Sequence, residues 1–216
     1  MNKKPDWISG ISHGAGAVMS VVGLFFLTRS ALTEGTVRHL ISFSIFGGSL
    51  VLLYAASAFY HLVPARERVH LWLRRLDHMM VFVLIAGTYT PFCLLALRGV
   101  WGTTLLIAVW SLSIVGIVLK VVWLFAPRWV YTGFYLLLGW LIVIAAGPLW
   151  RALPLPALGW LGLGGLFYTV GAFIYGLKWP KLIPNVFGFH ELWHLFVMAG
   201  SFAHYWAIFR FLPDVG

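Results

Sequence analysis

The chain is predicted to be an all-α integral membrane protein, a seven-transmembrane helix bundle. Three observations predict this: its composition, the length of its apolar runs, and the placement of basic residues between them. Of 216 residues, 61% are hydrophobic and only 10% charged, and the mean hydropathy is +0.92. Soluble domains run at about 45–50% apolar and 25% charged, so no soluble class accommodates these figures.

A helix needs about 20 apolar residues to cross the hydrocarbon. Runs of that size lie near residues 11–31, 39–63, 78–97, 101–125, 129–149, 155–177 and 190–212. The first follows Lys3 and Lys4, but it is long and reaches Arg29 without a small-x-small cleavage pattern, so it reads as a retained helix and not a signal peptide. Arg29 to Arg38, with Glu34 and Gly35, separates it from the second run, and the basic stretch Pro64 to Arg75 reads as the loop before the third. Within the third, Gly87-Thr88-Tyr89-Thr90-Pro91 is expected to kink the helix and open space, because proline removes a backbone donor and crowds the preceding turn. Ala126-Pro127-Arg128, Trp150-Arg151-Ala152 and Lys178 to Pro184 form the remaining short connections. Residues 1–216 read as a single transmembrane domain. The lone Cys93 rules out an internal disulfide and reads as packing, and Trp101, Trp129, Trp150 and Trp179 read as an interfacial belt.

Charge sets the expected orientation. With the N-terminus cytoplasmic, the inner side holds Lys3, Lys4, Arg66, Arg68, Arg74, Arg75, Lys120, Arg128, Lys178 and Lys181. The outer side then holds only Arg29, Arg38, Arg98, Arg151 and Arg210. Basic loops favour the cytoplasmic side, so the N-terminus is expected inside and, with seven spans, the C-terminus outside, in a multi-pass protein of the inner (plasma) membrane. Basic loops facing anionic headgroups account for the net charge of +9, which therefore implies no nucleic-acid partner.

The chemistry centres on His190-Glu191-Leu192-Trp193-His194. Histidines four apart stack on one helix face, one turn from each other, where two neutral nitrogens can hold one metal ion. An apolar run from Leu195 to Leu212 follows, which places the pair near one membrane surface. The expected topology brings His13, His61 and Asp77 to the same depth. Ser57 shares a face with His61 and lies one turn deeper. Two readings are open to it: back-bonding to its own helix, or facing the cluster. Asp77 is either an interfacial carboxylate, capping its helix or paired with Arg74 or Arg75, or a group beside a metal-bound water. Thr88, eleven residues on, extends a polar seam inward. His78 could line the site, but adjacent helical residues point about 100 degrees apart, so only one of Asp77 and His78 is expected to face the centre squarely. His39 and His70 read as exposed at helix ends. His204 lies about 15 Å deeper than the His190 pair and reads as a hydrogen-bonded core histidine.

Three histidines, His61, His190 and His194, with one coordination place left open, is a pattern of catalytic zinc; structural zinc usually has four closed ligands and more cysteine. His190-Glu191-x-x-His194 also matches the H-E-x-x-H pattern in which the glutamate is a general base, which raises an intramembrane metalloprotease as a rival. Glu191 points off the face shared by the histidines, and a third ligand from a later span is missing.

Ser57-x-x-x-His61, Asp77 at the start of the next helix and His190-x-x-x-His194 together resemble the progestin and adipoQ receptor superfamily. Leu76-Asp77-His78, Ala86-Gly87-Thr88-Tyr89-Thr90-Pro91-Phe92 and His190-Glu191-Leu192-Trp193-His194 look like its bacterial hemolysin III, or membrane-homeostasis, branch. The resemblance implies zinc held by His61, His190 and His194 on the cytoplasmic side, with Asp77 and Ser57 near it. The family's first motif pairs an acidic residue, an asparagine and a histidine; Asp6 and His13 match, but Ser9 stands in the asparagine's place. The implied activity is hydrolysis of a ceramide-like lipid amide, or an ester, in membrane lipid homeostasis. Zinc would polarise the carbonyl and Asp77 would accept the proton of the attacking water. The alternatives are a non-catalytic, zinc-stabilised sensor or receptor-like protein, and a pore-forming hemolysin. The spans argue against the pore, since they carry no continuous polar stripe.

Overall fold

The computed structural model describes residues 6–180, 182–183 and 187–215. Among these residues it has seven long helices and no strand beyond one isolated bridge between Ile183 and Phe187. The helices are α1 (Trp7–Thr33), α2 (Val37–Leu62), α3 (Glu67–Ala96), α4 (Gly99–Val122), α5 (Arg128–Ala152), α6 (Leu155–Leu177) and α7 (Phe189–Phe211). The first six are long and apolar enough to cross a membrane; α7 matches them in length, with its hydropathy lowered by His190, Glu191, His194, His204 and Arg210. Lys3, Lys4, Lys181 and Pro184 lie outside the described residues.

Each helix packs on its neighbours in the chain, α7 closes back onto α1, and α3 also reaches α5. The polarity of the bundle is that of a protein dissolved in lipid. Val18, Phe25, Ile107, Val118 and Phe173 face outward, whereas Ser42, Ser49, Ser57, Thr90, Ser113, His13, His39, His61, His194 and His204 are buried. In hydrocarbon no water is available to polar groups, so they turn inward and find partners within the bundle or on their own helix. Ser49, Thr88 and Thr90 do the latter, donating to Phe46, Leu84 and Ala86 carbonyls. Cys93 is buried in the core.

Two stretches differ from the sequence reading. α3 begins at Glu67, so only the short turn around Pro64 is loop, and Arg68, Arg74 and Arg75 project from three helical turns. Glutamate, arginine and leucine are good helix formers, and a helix continues past the hydrocarbon boundary as long as its backbone bonds persist. Asp77 is accordingly mid-helix, not a cap; Arg66 takes that position. Second, Gly87 does not open space. A side chain there would collide with Ser49, so the missing Cβ lets α2 and α3 approach closely. The helix runs through Pro91 and absorbs it in a π-helical turn over Phe92–Ala96.

His39 is not exposed either. Its Nδ1 accepts from the Thr36 N–H at 3.1 Å, leaving Nε2–H to face the Leu212 and Val215 carbonyls at 3.2 and 3.1 Å. His70 lies within α3 and stacks on Tyr60 across the α2–α3 turn, ring centroids 4.7 Å apart.

α5 is broken at its centre by a 3₁₀ segment, Leu141–Ala145. Tyr89 of α3 mends the break: Ile142 N–H donates to its hydroxyl at 2.7 Å, and the hydroxyl donates to the Leu138 or Gly139 carbonyl at 2.9 or 2.8 Å. A side chain inserted in the ladder is a recognised cause of such interruptions. Tyr89→Phe strands these backbone groups in an apolar wall, at a cost of about 1–3 kcal/mol. Thermal unfolding in detergent should show a lower midpoint for this variant; an unchanged midpoint would mean that the groups find other partners.

Candidate metal centre

α2 delivers His61 in its last turn and α7 delivers His190 and His194 in its first two, so antiparallel packing brings the three rings to one end of the bundle. Each of the three offers a ring nitrogen within 4.8 Å of the other two. The Nε2 atoms of His61 and His190 are 3.4 Å apart. Two ligands of a tetrahedral zinc with bonds of about 2.0–2.1 Å lie ~3.3 Å apart, so this pair already stands at the spacing such an ion requires. His61 and His194 are buried and His190 is partly so. His194 Nδ1 has no hydrogen-bond partner among the described residues. The donor set fits a divalent ion: three imidazoles and no cysteine, with His190 and His194 also lining a cavity.

Asp6 caps α1, its carboxylate accepting from the Ser9 N–H at 3.3 Å. Its own N–H donates to the His61 carbonyl at 3.0 Å, and its Oδ2 lies 3.4 Å from His61 Nδ1, close to that nitrogen but outside ordinary hydrogen-bond geometry. Burial alone would raise the Asp6 pKa, but His61 and then Ser9 outweigh it and hold the carboxyl well below the usual range. A carboxylate on the outer nitrogen of a metal-binding imidazole fixes its tautomer and turns the other nitrogen toward the ion. Ser9, in the place of an asparagine, is fully buried beside this contact and does not prevent it. The signal for this segment in the sequence is an acid seven residues, two helical turns, before His13. His13 is buried and stacks on His194, centroids 3.8 Å apart and 16° from parallel.

Behind the trio lies a cavity of about 340 Å³. Its walls include His13, Ser57, Asp77, His78, His190 and His194 near the cluster, and Thr88 and His204 farther in. Ser57 does not bond back to its own helix; its hydroxyl is buried without a partner that meets ordinary geometry, and faces the Asp77 carboxylate. Asp77 forms no ion pair with Arg74 or Arg75 among the described contacts and instead lies 3.3 Å from His78 Nδ1, which donates to the Arg74 carbonyl at 2.7 Å. Both Asp77 and His78 thus line the cavity. Glu191 does not line it. Its Oε2 accepts from the Gly188 N–H at 2.6 Å, closing the first turn of α7 as a cap. His204 is buried and lines the cavity, but no hydrogen bond to it is formed among the described residues.

The model of the haemolysin-III related family matches residues 1–205. The chain belongs to this family. The haemolysin-III sequence is 39% identical over 214 residues to the Hemolysin-3 homolog of Bacillus subtilis, covering 98% of this chain and 96% of that one. It is 38% identical over 213 residues to Hemolysin-3 of Bacillus cereus, covering 97% and 93%. More distantly, it is 27% identical over 215 residues to the adiponectin receptor protein of Drosophila melanogaster, covering 91% of this chain and 48% of that protein.

Metal analysis of purified protein tests this centre. His61→Ala, His190→Ala and His194→Ala are each expected to lose the ion. Asp6→Asn keeps all three donors and should weaken affinity about 10–100-fold. Glu191→Gln, which retains an acceptor for the cap, should bind like wild type; loss of metal in that variant would restore Glu191 to the site.

Proposed function

We propose that this haemolysin-III family member is a seven-span metalloprotein of the plasma membrane that hydrolyses the amide or ester bond of a lipid. One observation carries the reading: three imidazoles able to share an ion stand at one end of an apolar-walled cavity, with a carboxylate and a hydroxyl in the adjoining wall. His61, His190 and His194 would hold zinc, which when bound supplies a Lewis acid and lowers the pKa of water to about 7.

The remaining roles belong to the chain itself. The Asp77 carboxylate takes a proton from the attacking water and returns it to the departing amine or alcohol. Ser57, whose hydroxyl faces the Asp77 carboxylate, turns to donate to the substrate carbonyl oxygen. His78 stands beside Asp77, its Nδ1 3.3 Å from the carboxylate and its N–H given to the Arg74 carbonyl. The apolar walls take up the lipid chain and keep bulk water from the reacting bond.

Orientation follows the positive-inside rule. The metal end carries Arg66, Arg68, Arg74, Arg75, Lys120, Arg128 and Lys178, and the far end Arg29, Arg38, Arg98, Arg151 and Arg210, so the centre lies on the cytoplasmic side. Several of these cations rest on aromatic rings at the bundle's edge. Arg128 lies over Tyr175 and Phe189, at 4.9 and 5.3 Å, and joins α5, α6 and the start of α7.

A second reading has its own support. The trio joins α2 to α7, so an ion there could act as a structural tie in a lipid-sensing bundle without turnover. Asp77→Asn separates the two. For a hydrolase, metal content is unchanged while hydrolysis of a long-chain N-acyl amide falls about 10²–10⁴-fold. Full turnover in that variant would remove Asp77 from the chemistry. A wild type that cleaves neither amides nor esters, yet melts at lower temperature when chelated, would leave the tie as the function.

A further inference from the structure

A second polar cluster stands at the deep end of the cavity, where Tyr168 and His204 line the wall and Ser201 joins them through the Tyr168 hydroxyl. His204 follows His194 by ten residues, which places it about 15 Å farther along α7. It is 6% exposed, its Nδ1 has no partner among the described residues, and its ring lines the cavity. The surrounding packing is built to seat it. A Cβ at Gly164 of α6 would come within 2.6 Å of its Nε2, so only glycine leaves room for the ring. Tyr168, one turn on, stacks against it with centroids 5.4 Å apart and 25° between planes. The Tyr168 hydroxyl pairs with Ser201 Oγ at 2.8 Å, one helical turn before His204, and Tyr54 of α2 approaches the same pair.

An imidazole without partners is costly in an apolar interior, and a plain alkyl chain leaves it so. Leucine or phenylalanine would pack the same wall without that cost. The arrangement makes sense for an occupant that is apolar along most of its length and carries a hydrogen-bonding group partway down.

We infer that His204, with Ser201 and Tyr168, forms a second binding station that takes a hydroxyl group partway along the alkyl chain of a lipid whose head lies at the histidine trio. This rests on reading the cavity as a lipid site and is independent of any turnover there. The imidazole and the Ser201–Tyr168 pair each offer both a donor and an acceptor, as a secondary alcohol requires. The station would set chain specificity by the position of the hydroxyl, and α7 would carry both stations on one rigid rod.

The test is equilibrium binding by calorimetry to the full chain in detergent. The probes are stearate and a series of hydroxystearates with the hydroxyl moved stepwise along the chain. One position in the series should bind about tenfold more tightly than stearate, the worth of roughly one good hydrogen bond. His204→Leu should erase that preference and leave stearate affinity within about twofold. Should that variant fail to fold, Ser201→Ala combined with Tyr168→Phe reports on the same station and should also flatten the series. Equal affinity for all positions in wild type would overturn the inference, the cluster then holding only water, while the lipid reading would survive. Failure of every long-chain probe to bind would overturn both.

Discussion

The structure depends on what happens to imidazoles removed from water. His13, His61 and His194 are all buried at one end of the bundle, and each brings polar nitrogens that hydrocarbon cannot satisfy. Spread over separate helices they would be liabilities; gathered at one end, His61 and His194 bring ring nitrogens within 4.8 Å of one on His190, and those three could hold one ion. This need for one another fixes which helices meet. It joins the last turn of α2 to the first turns of α7, and it draws the start of α1 across both, because Asp6 answers the outer nitrogen of His61 while His13 covers the face of His194.

The same constraint explains the rest of the interior. Lipid-facing positions are filled with large apolar side chains, so nearly all the chemistry the chain possesses points inward. Asp77 and Ser57 stand in the wall next to the trio because no solvent-facing alternative exists at that depth. Tyr89 offers its hydroxyl to the broken backbone of α5 for the same reason. The cavity is the space enclosed by α1, α2, α3, α5, α6 and α7, with α4 packed outside it, around side chains chosen for polarity as well as for packing.

Much of this was legible in the sequence. Apolar runs of membrane length found all seven helices, and the i, i+4 spacing of His190 and His194, with His61 at the end of the second run, located the trio. Boundaries set by hydropathy failed where a helix outlasts the hydrocarbon, which is why the charged first turns of α3 looked like a loop. Partners across the fold were harder still. Nothing local tells that His39 reaches the carbonyls of Leu212 and Val215, or that Tyr89 serves α5. Glu191 carried a misleading signal: the spacing that suits a general base also suits a helix cap, and only the Gly188 contact decides between them. His204 was misread because a buried histidine is usually a satisfied one, and the cavity beside it leaves no trace in the sequence.

The two histidines of α2 have a joint consequence. His61 meets α7 at that helix's beginning, while His39, nearly the whole length of α2 away, grips the carbonyls at that helix's end. Two such pins fix the register of one rod against the other, and a slip of a single turn, about 5.4 Å, would pull both out at once. Loss of any ion the trio could hold would release only one pin, and His39 would still keep the two rods aligned.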